Sequence, residues 1–272
     1  MKTAALGQYY PSDSVIHRLD GRMKLILMVI FIVACFLCKS FVSFVLLICA
    51  TAVLVVVSKV PFSVIFKGLK AIVFILIFTF VINMFFTKGE KPLVSWWIIE
   101  LYPEGIWNAA FMSLRILILI IGTTLFVSYT TTPIQLTDAL ERLLYPLKYI
   151  GVPVSDFAMM MSIALRFIPT LSEETDKIMT AQKARGADFS TGSLISRISS
   201  LIPVLVPLFV SAFRRAEELA TAMECRCYHG GRGRTRLHVS VMGLWDFIAL
   251  GFMIVLIVGI IVLNGFSFVF TL

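Results

Sequence analysis

Charged residues are scarce in this chain. Asp, Glu, Lys and Arg make up 15% of its 272 residues, and the mean hydropathy is +0.94. A soluble domain carries about 25% charged residues, so a water-soluble globule of this length is excluded. Histidine is almost absent, with three in all. The five cysteines do not form a disulfide framework: Cys35, Cys38 and Cys49 lie within apolar runs, and Cys225 and Cys227 flank an arginine in a basic segment. No G-x-x-x-x-G-K-[ST] phosphate loop occurs anywhere. The glycine-rich stretch HGGRGRTR at 229–236 has no strand pattern before it and no Lys-Ser/Thr after it, and it reads as a linker. The first residues, MKTAALGQYYPSDSVIHRLDGR, have no apolar core or cleavage-like ending, so the N-terminus is expected to be retained.

Long apolar runs are what the chain has in quantity: 25–38, 41–57, 71–86, 116–127 and 247–263. Crossing a hydrocarbon layer takes about 20 helical residues, or fewer when flanking side chains snorkel. The block 25–57 is broken by Lys39-Ser40 and reads as two short helices with a tight turn. These runs predict an all-α polytopic membrane protein with about five transmembrane helices. Lysine and arginine set its orientation. Thirteen of them fall between 134 and 240, and others cluster at 18–24 and 59–70, whereas the opposite side holds Lys39, Lys88 and Lys91. The expected topology is a multi-pass cell-membrane protein with a cytoplasmic N-terminus, cytoplasmic residues 133–240 and an external C-terminus. The Trp/Tyr cluster of VSWWIIELYPEG, at 94–105, suits an outer interfacial belt. Topology accounts for the positive charge without nucleic acid. Three regions result: 1–132 with the first four spans, 133–240 as a cytoplasmic helical region, and 241–272 with the last span and a short tail.

Residues 133–240 read as three helical pieces without a clean span. In the first, at 133–151, Leu136, Leu140, Leu143, Leu144 and Leu147 share a face opposite Asp138, Glu141, Arg142 and Lys148. The second (about 155–185) and third (about 192–226) share one layout: an apolar half, then a charged half, then an arginine between small residues. Pro169, Pro203 and Pro207 predict that each is split in two. The tips are Ala184-Arg185-Gly186 and Cys225-Arg226-Cys227. An arginine at a helix C-terminus suits the helix dipole, and a glycine after it is an ordinary stop. Recurrence on two matched arms points further, to guanidinium groups left free to enter a partner's groove.

Other residues invite weighing. CRCYH, at 225–229, brings two thiols near an imidazole but lacks the four-ligand spacing of a structural zinc site, so no metal is expected. Arg115 lies in an apolar run, where it is costly at the bilayer centre; pairing with an acid or snorkelling is expected. Arg166 is expected to pair with Glu173 or Glu174. A protein carrying its own solute would need polar or charged residues along a path, and apart from Asn83, Arg115, Thr123 and Thr124 the spans offer almost none. A membrane enzyme would need clustered acids or a nucleophile with a base, and none is found; no catalytic residue is expected.

The segments YYPSDSVIHRLDGRMKL (9–25), TTTPIQLTDALERLLYPLKYIGVPV (130–154), ALRFIPTLSEETDKIMTAQKARGADF (164–189) and LIPVLVPLFVSAFRRAEELATAMECRCY (201–228) resemble the transmembrane T component of energy-coupling factor transporters. The resemblance is to the shared type serving several S components. It implies a non-enzymatic coupling subunit of an ATP-driven vitamin or micronutrient importer. Two ABC-type ATPase subunits would bind ATP and Mg²⁺ and receive the two arginine tips. An exchangeable, membrane-embedded S component would bind the substrate. The first motif falls on Ala184, Arg185 and Gly186. The second falls on Cys225, Arg226 and Cys227, where cysteines replace the more usual small residue and glycine.

Overall fold

The computed structural model describes residues 9–70, 72–87, 94–96, 99–187, 189, 193–230 and 242–266, and the statements below concern these. Residues 231–236 of the glycine-rich stretch, Trp97 and the C-terminal tail from 267 lie outside them. The described chain is helical apart from one short hairpin. In order come α1 (Val15–Arg18), α2 (Gly21–Leu37), α3 (Phe41–Ser58), α4 (Phe62–Lys70) and α5 (Val73–Phe86). Strands β1 (Val94–Trp96) and β2 (Ile99–Leu101) pair antiparallel, with Ser95 opposite Glu100, where the sequence predicted only a loop. Then follow α6 (Pro103–Thr124), which continues as a π-helical turn over Leu125–Tyr129, α7 (Pro133–Leu143) with a 3₁₀ turn at Tyr145–Ile150, α8 (Val154–Ala184), α9 (Leu194–Cys225) and α10 (Leu244–Phe266).

Five of these helices are long and apolar enough to cross a membrane: α3, α6 with its π turn, α8, α9 from Ile198, and α10. Helices α4 and α5, bent by 62° at their junction, would make a sixth if taken together. The count of five matches the expectation, but its membership differs. Helices α8 and α9 are among them by length and composition although the sequence offered no clean span there, and both run unbroken through their prolines. At 17 residues α2 is short for a span, as expected for the first half of the 25–57 block.

Two compact units divide the described residues: 9–139 with 242–266, and 140–230. The first has one main core. Leu27, Phe31, Ala34 and Cys35 of α2 pack with Phe44 and Leu47 of α3, Ile118 of α6, and Met253, Leu256 and Ile260 of α10. Helices this apolar on all sides carry little amphipathic signal, so small residues decide which faces meet. A Cβ on Gly122 would overlap the Phe31 ring, and one on Gly21 would sit 3.0 Å from the Ala139 Cβ and 3.2 Å from the Gln135 carbonyl oxygen. The first contact joins α6 to α2; the second seats α7 on the start of α2.

In the second unit α8 and α9 run antiparallel. Gln182 donates to the Pro203 carbonyl oxygen at 3.4 Å, and Arg215 donates to Glu174 at 2.8 Å, so the contacts move forward along α9 as they move back along α8. The first bond has a local cause. Pro207 has no N–H to give Pro203, four residues before it, and Gln182 supplies the missing donor. With Pro169, Pro203 and Pro207 inside them, α8 and α9 nonetheless remain continuous over 31 and 32 residues, where splitting was expected. The leucine face of the 133–151 piece is also not what this chain buries. Thr137 and Ala139 are buried, while Leu140, Leu144 and Leu147 are exposed. The α-helix ends at Leu143, and Pro146 lies in the first turn of the 3₁₀ segment that begins at Tyr145.

Gly122→Val forces a branched side chain against Phe31. It should destabilise the detergent-solubilised protein by about 1–3 kcal/mol or more, as overpacking does, read as a lower midpoint of thermal unfolding. Gly251→Ala, where an added Cβ meets nothing within 4 Å, is the matched control with little effect.

Candidate functional site

The two arginine tips share one backbone conformation. In α8 the amide of Gly186 donates to Lys183 O at 3.0 Å and that of Ala187 to Gln182 O at 3.0 Å. In α9 the amide of Cys227 donates to Glu224 O at 2.9 Å and that of Tyr228 to Met223 O at 3.0 Å. Each pair is the double bond of a Schellman ending, which satisfies the last carbonyls of the helix. Such an ending needs a left-handed residue just after the arginine. Gly186 takes it at φ +88°, and Cys227 takes it at φ +56°. A side chain in that region costs about 1–2 kcal/mol. The cysteine therefore does not alter how the second helix ends; it adopts the glycine's conformation. Ala184, Arg185, Gly186, Cys225, Arg226 and Cys227 are all exposed. Among the described residues no group of three His, Cys, Asp or Glu could hold a metal, and Cys225 and Cys227 belong to the helix ending instead.

Because α8 and α9 are antiparallel, the tips lie toward opposite ends of the pair. Arg185 follows Gln182, which touches Pro203; Arg226 lies 23 residues beyond Pro203 (226 − 203), about 35 Å along α9. Over the last turns of α8 before Arg185, Asp176, Lys177, Thr180, Ala181 and Ala184 line an open depression. Glu174 is held by Arg215 and not, as expected, by Arg166, which is exposed. The competing partner came from α9, and separation along one helix could not reveal it.

The other polar concentration, in the first unit, carries no sequence motif. It is a clasp built from YYPSDSVIHRLDGRMK. The Lys24 side chain is 2% exposed, and its ammonium donates to Thr130 O at 2.7 Å and His17 O at 3.1 Å. Asp20 caps α2 by accepting from the Arg22 amide at 3.0 Å, while its own amide donates to Asp246 Oδ1 at 2.9 Å. The other Asp246 oxygen accepts from the Gly243 amide at 2.8 Å, so this buried carboxylate closes the start of α10. His17 Nδ1 shares a hydrogen bond with Ser14 Oγ at 2.7 Å, and Nε2 one with Tyr10 O at 2.9 Å; the Tyr10 amide donates to Tyr129 O at 3.1 Å. Ser12 Oγ donates to Ser58 O at 3.2 Å. The N-terminal segment thus ties together α2, the end of α3, the π turn after α6 and the start of α10. Burial lowers the pKa of His17, and nearby Lys24 lowers it further, against the raising effect of the Tyr10 carbonyl. One signal could have pointed here: an isolated Asp246 before an apolar run, with no basic neighbour in sequence.

At the far ends of α2 and α10 the polar residues serve the backbone. Arg115, expected to pair with an acid or to snorkel, donates to Cys38 O at 2.9 Å, the carbonyl at the C-terminus of α2. Asn264 accepts from the Lys39 and Ser40 amides at 3.3 Å and from Ser43 Oγ at 2.8 Å, and donates to Leu37 O at 2.7 Å. Asn83 donates to Thr79 O and Thr123 to Leu119 O, each within its own helix.

The helices and these contacts define a class: a polytopic, helical membrane protein carrying two long helices with matched, exposed arginine ends. Residues 12–239 match the family model CbiQ, described as cobalt transport protein. The chain is 52% identical over 250 residues to the energy-coupling factor transporter transmembrane protein EcfT of Clostridium kluyveri, covering 92% of each chain. It is 49% identical to the EcfT of Ruminiclostridium cellulolyticum over 97% of this chain and 98% of that one, and 48% identical to the EcfT of Bacillus subtilis over 87% and 89%. The chain belongs to this family of energy-coupling factor transporter transmembrane components, as the resemblance implied.

Three outcomes follow. Gly186→Ala should weaken the α8 ending by about 1 kcal/mol, seen as faster amide hydrogen exchange at Ala187, whereas Cys227→Gly should leave Tyr228 exchange unchanged or slower. Lys24→Met strands two carbonyls and should lower unfolding stability by about 1–3 kcal/mol. For His17 the folded pKa is below the ordinary value, so the unfolded chain binds the extra proton first. Its contribution is then complete above about pH 6.5 and lost as pH falls through the lower, folded value; His17→Gln should flatten that part of the pH–stability curve.

Proposed function

We propose that this chain is the coupling subunit of an ATP-driven importer of vitamins or other micronutrients, with no ATPase activity of its own. Arg185 and Arg226 enter grooves on two ABC-type ATPase subunits, and the membrane-embedded helices hold an exchangeable S component that binds the substrate. ATP and Mg²⁺ reside on the ATPases. The single observation that carries this reading is the pairing of two identical helix endings, each exposing one arginine, on helices that run in opposite directions. A pair of like partners requires two like contacts set apart, and about 35 Å of helix between the Pro203 crossing and Arg226 supplies the separation. In this arrangement residues 133–240 and the N-terminus face the cytoplasm and the C-terminus lies outside, as the distribution of Lys and Arg supports. The clasp then holds Thr130, three residues before α7, so that displacement of the arms is passed to the membrane helices.

The test is co-purification from mild detergent with ATPase subunits and S component, followed by uptake in vesicles. Arg185→Ala and Arg226→Ala each remove one side of a desolvated charged contact and should weaken ATPase retention by about 2–5 kcal/mol, while the membrane-inserted amount stays unchanged. Wild-type ATPase retention and uptake in the double variant would sink the reading.

A further inference from the structure

Between Asp20 and Glu90 the chain contains no acidic residue. Within that interval Lys59, Lys67 and Lys70 surround α4, all three exposed and none meeting a carboxylate among the described residues. Among the described residues no carboxylate neutralises their charges.

Helix α4 is also set apart in direction. It bends by 62° from α5, and its nine residues reach about 14 Å, too short to cross a bilayer. One side is seated: Ile65 is buried beside Val60, Leu125 and Tyr129, and the Tyr129 hydroxyl donates to Val64 O at 3.4 Å. The other side is bare. Phe62 is 63% exposed and Phe66, one turn on, is 68% exposed. At 3.6 residues per turn, Phe62, Phe66 and Lys70 step round the helix by about 40° each, and Lys67 lies about 60° beyond Lys70. Two phenyl rings therefore adjoin two ammonium groups along one side of a short helix, and Lys59 adds a third charge just before it. Rings beside cations suit the boundary between acyl chains and headgroups. A protein partner for this face would need both an apolar pocket and a cluster of acids, whereas an anionic lipid provides chain and phosphate in one molecule.

We propose that α4 is an interfacial helix that binds anionic phospholipid, with Phe62 and Phe66 among the acyl chains and Lys59, Lys67 and Lys70 around the headgroup phosphate. The site draws negatively charged lipid to the π turn through Ile65, which packs on Leu125 and Tyr129.

The experiment uses the full chain with Phe66→Trp, reconstituted in phosphatidylcholine vesicles. A minor fraction of the lipid is acyl-brominated phosphatidylglycerol or, in parallel, acyl-brominated phosphatidylcholine. The signal of the chain without the added tryptophan is subtracted. Brominated phosphatidylglycerol should quench the added tryptophan more strongly, corresponding to about fivefold local enrichment per engaged lysine. Raised salt and the triple change Lys59→Gln, Lys67→Gln, Lys70→Gln should each abolish the difference while quenching by phosphatidylcholine persists. Equal quenching by the two lipids with the lysines present would overturn the proposal, as would a preference that survives the triple change. Absence of quenching by either lipid would do the same, because position 66 would then not face acyl chains. These readouts involve no ATPase or S component, so their failure is separate from failure of the coupling reading.

Discussion

One buried ammonium organises the first unit. Lys24 has no carboxylate bonded to it; its protons go to the carbonyls of Thr130 and His17. A charge that is 2% exposed is tolerable only where strong acceptors meet it and opposite charge lies near. Asp20 and Asp246 supply that charge while closing the first turns of α2 and α10. Remove the ammonium, and the carbonyls of His17 in the N-terminal segment and Thr130 after the π turn lose their common donor. Dispersion alone does not position them, because helices in this unit are apolar on nearly every side and could rotate against one another with little change in burial.

The second unit depends on helix termination. Two helices about thirty residues long end in the same Schellman geometry, although one uses glycine and the other cysteine in the left-handed position. The same geometry holds at Cys227 although a side chain there carries a cost that glycine does not. Antiparallel packing, held by Gln182 at the carbonyl that Pro207 leaves free and by Arg215 at Glu174, sets the two tips apart. Proline here does not break the helix; it creates an acceptor that a neighbouring helix uses.

Polar residues within the apolar helices follow one rule. Arg115 and Asn264 close the turn between α2 and α3, and Asn83 and Thr123 bond within their own helices. Where water is absent, backbone groups at a turn must find side chains, and this need explains an arginine in an apolar run without a carboxylate partner.

Much was determined by sequence alone. Apolar runs specified an all-α membrane protein, the lysine and arginine pattern gave an expected orientation, and the repeat of apolar half, charged half and arginine singled out Ala184–Gly186 and Cys225–Cys227. These are properties of composition and short-range periodicity, and both survive without knowing which helices touch. Tertiary structure decided the rest. It gave Glu174 to Arg215, gave Arg115 to a helix carbonyl, kept the proline-containing helices whole, and joined Lys24 to Thr130 and Asp20 to Asp246 across 106 and 226 positions. Hydrogen bonds and ion pairs are satisfied by whichever group packing brings within about 3 Å, and separation along the chain carries almost no information about that.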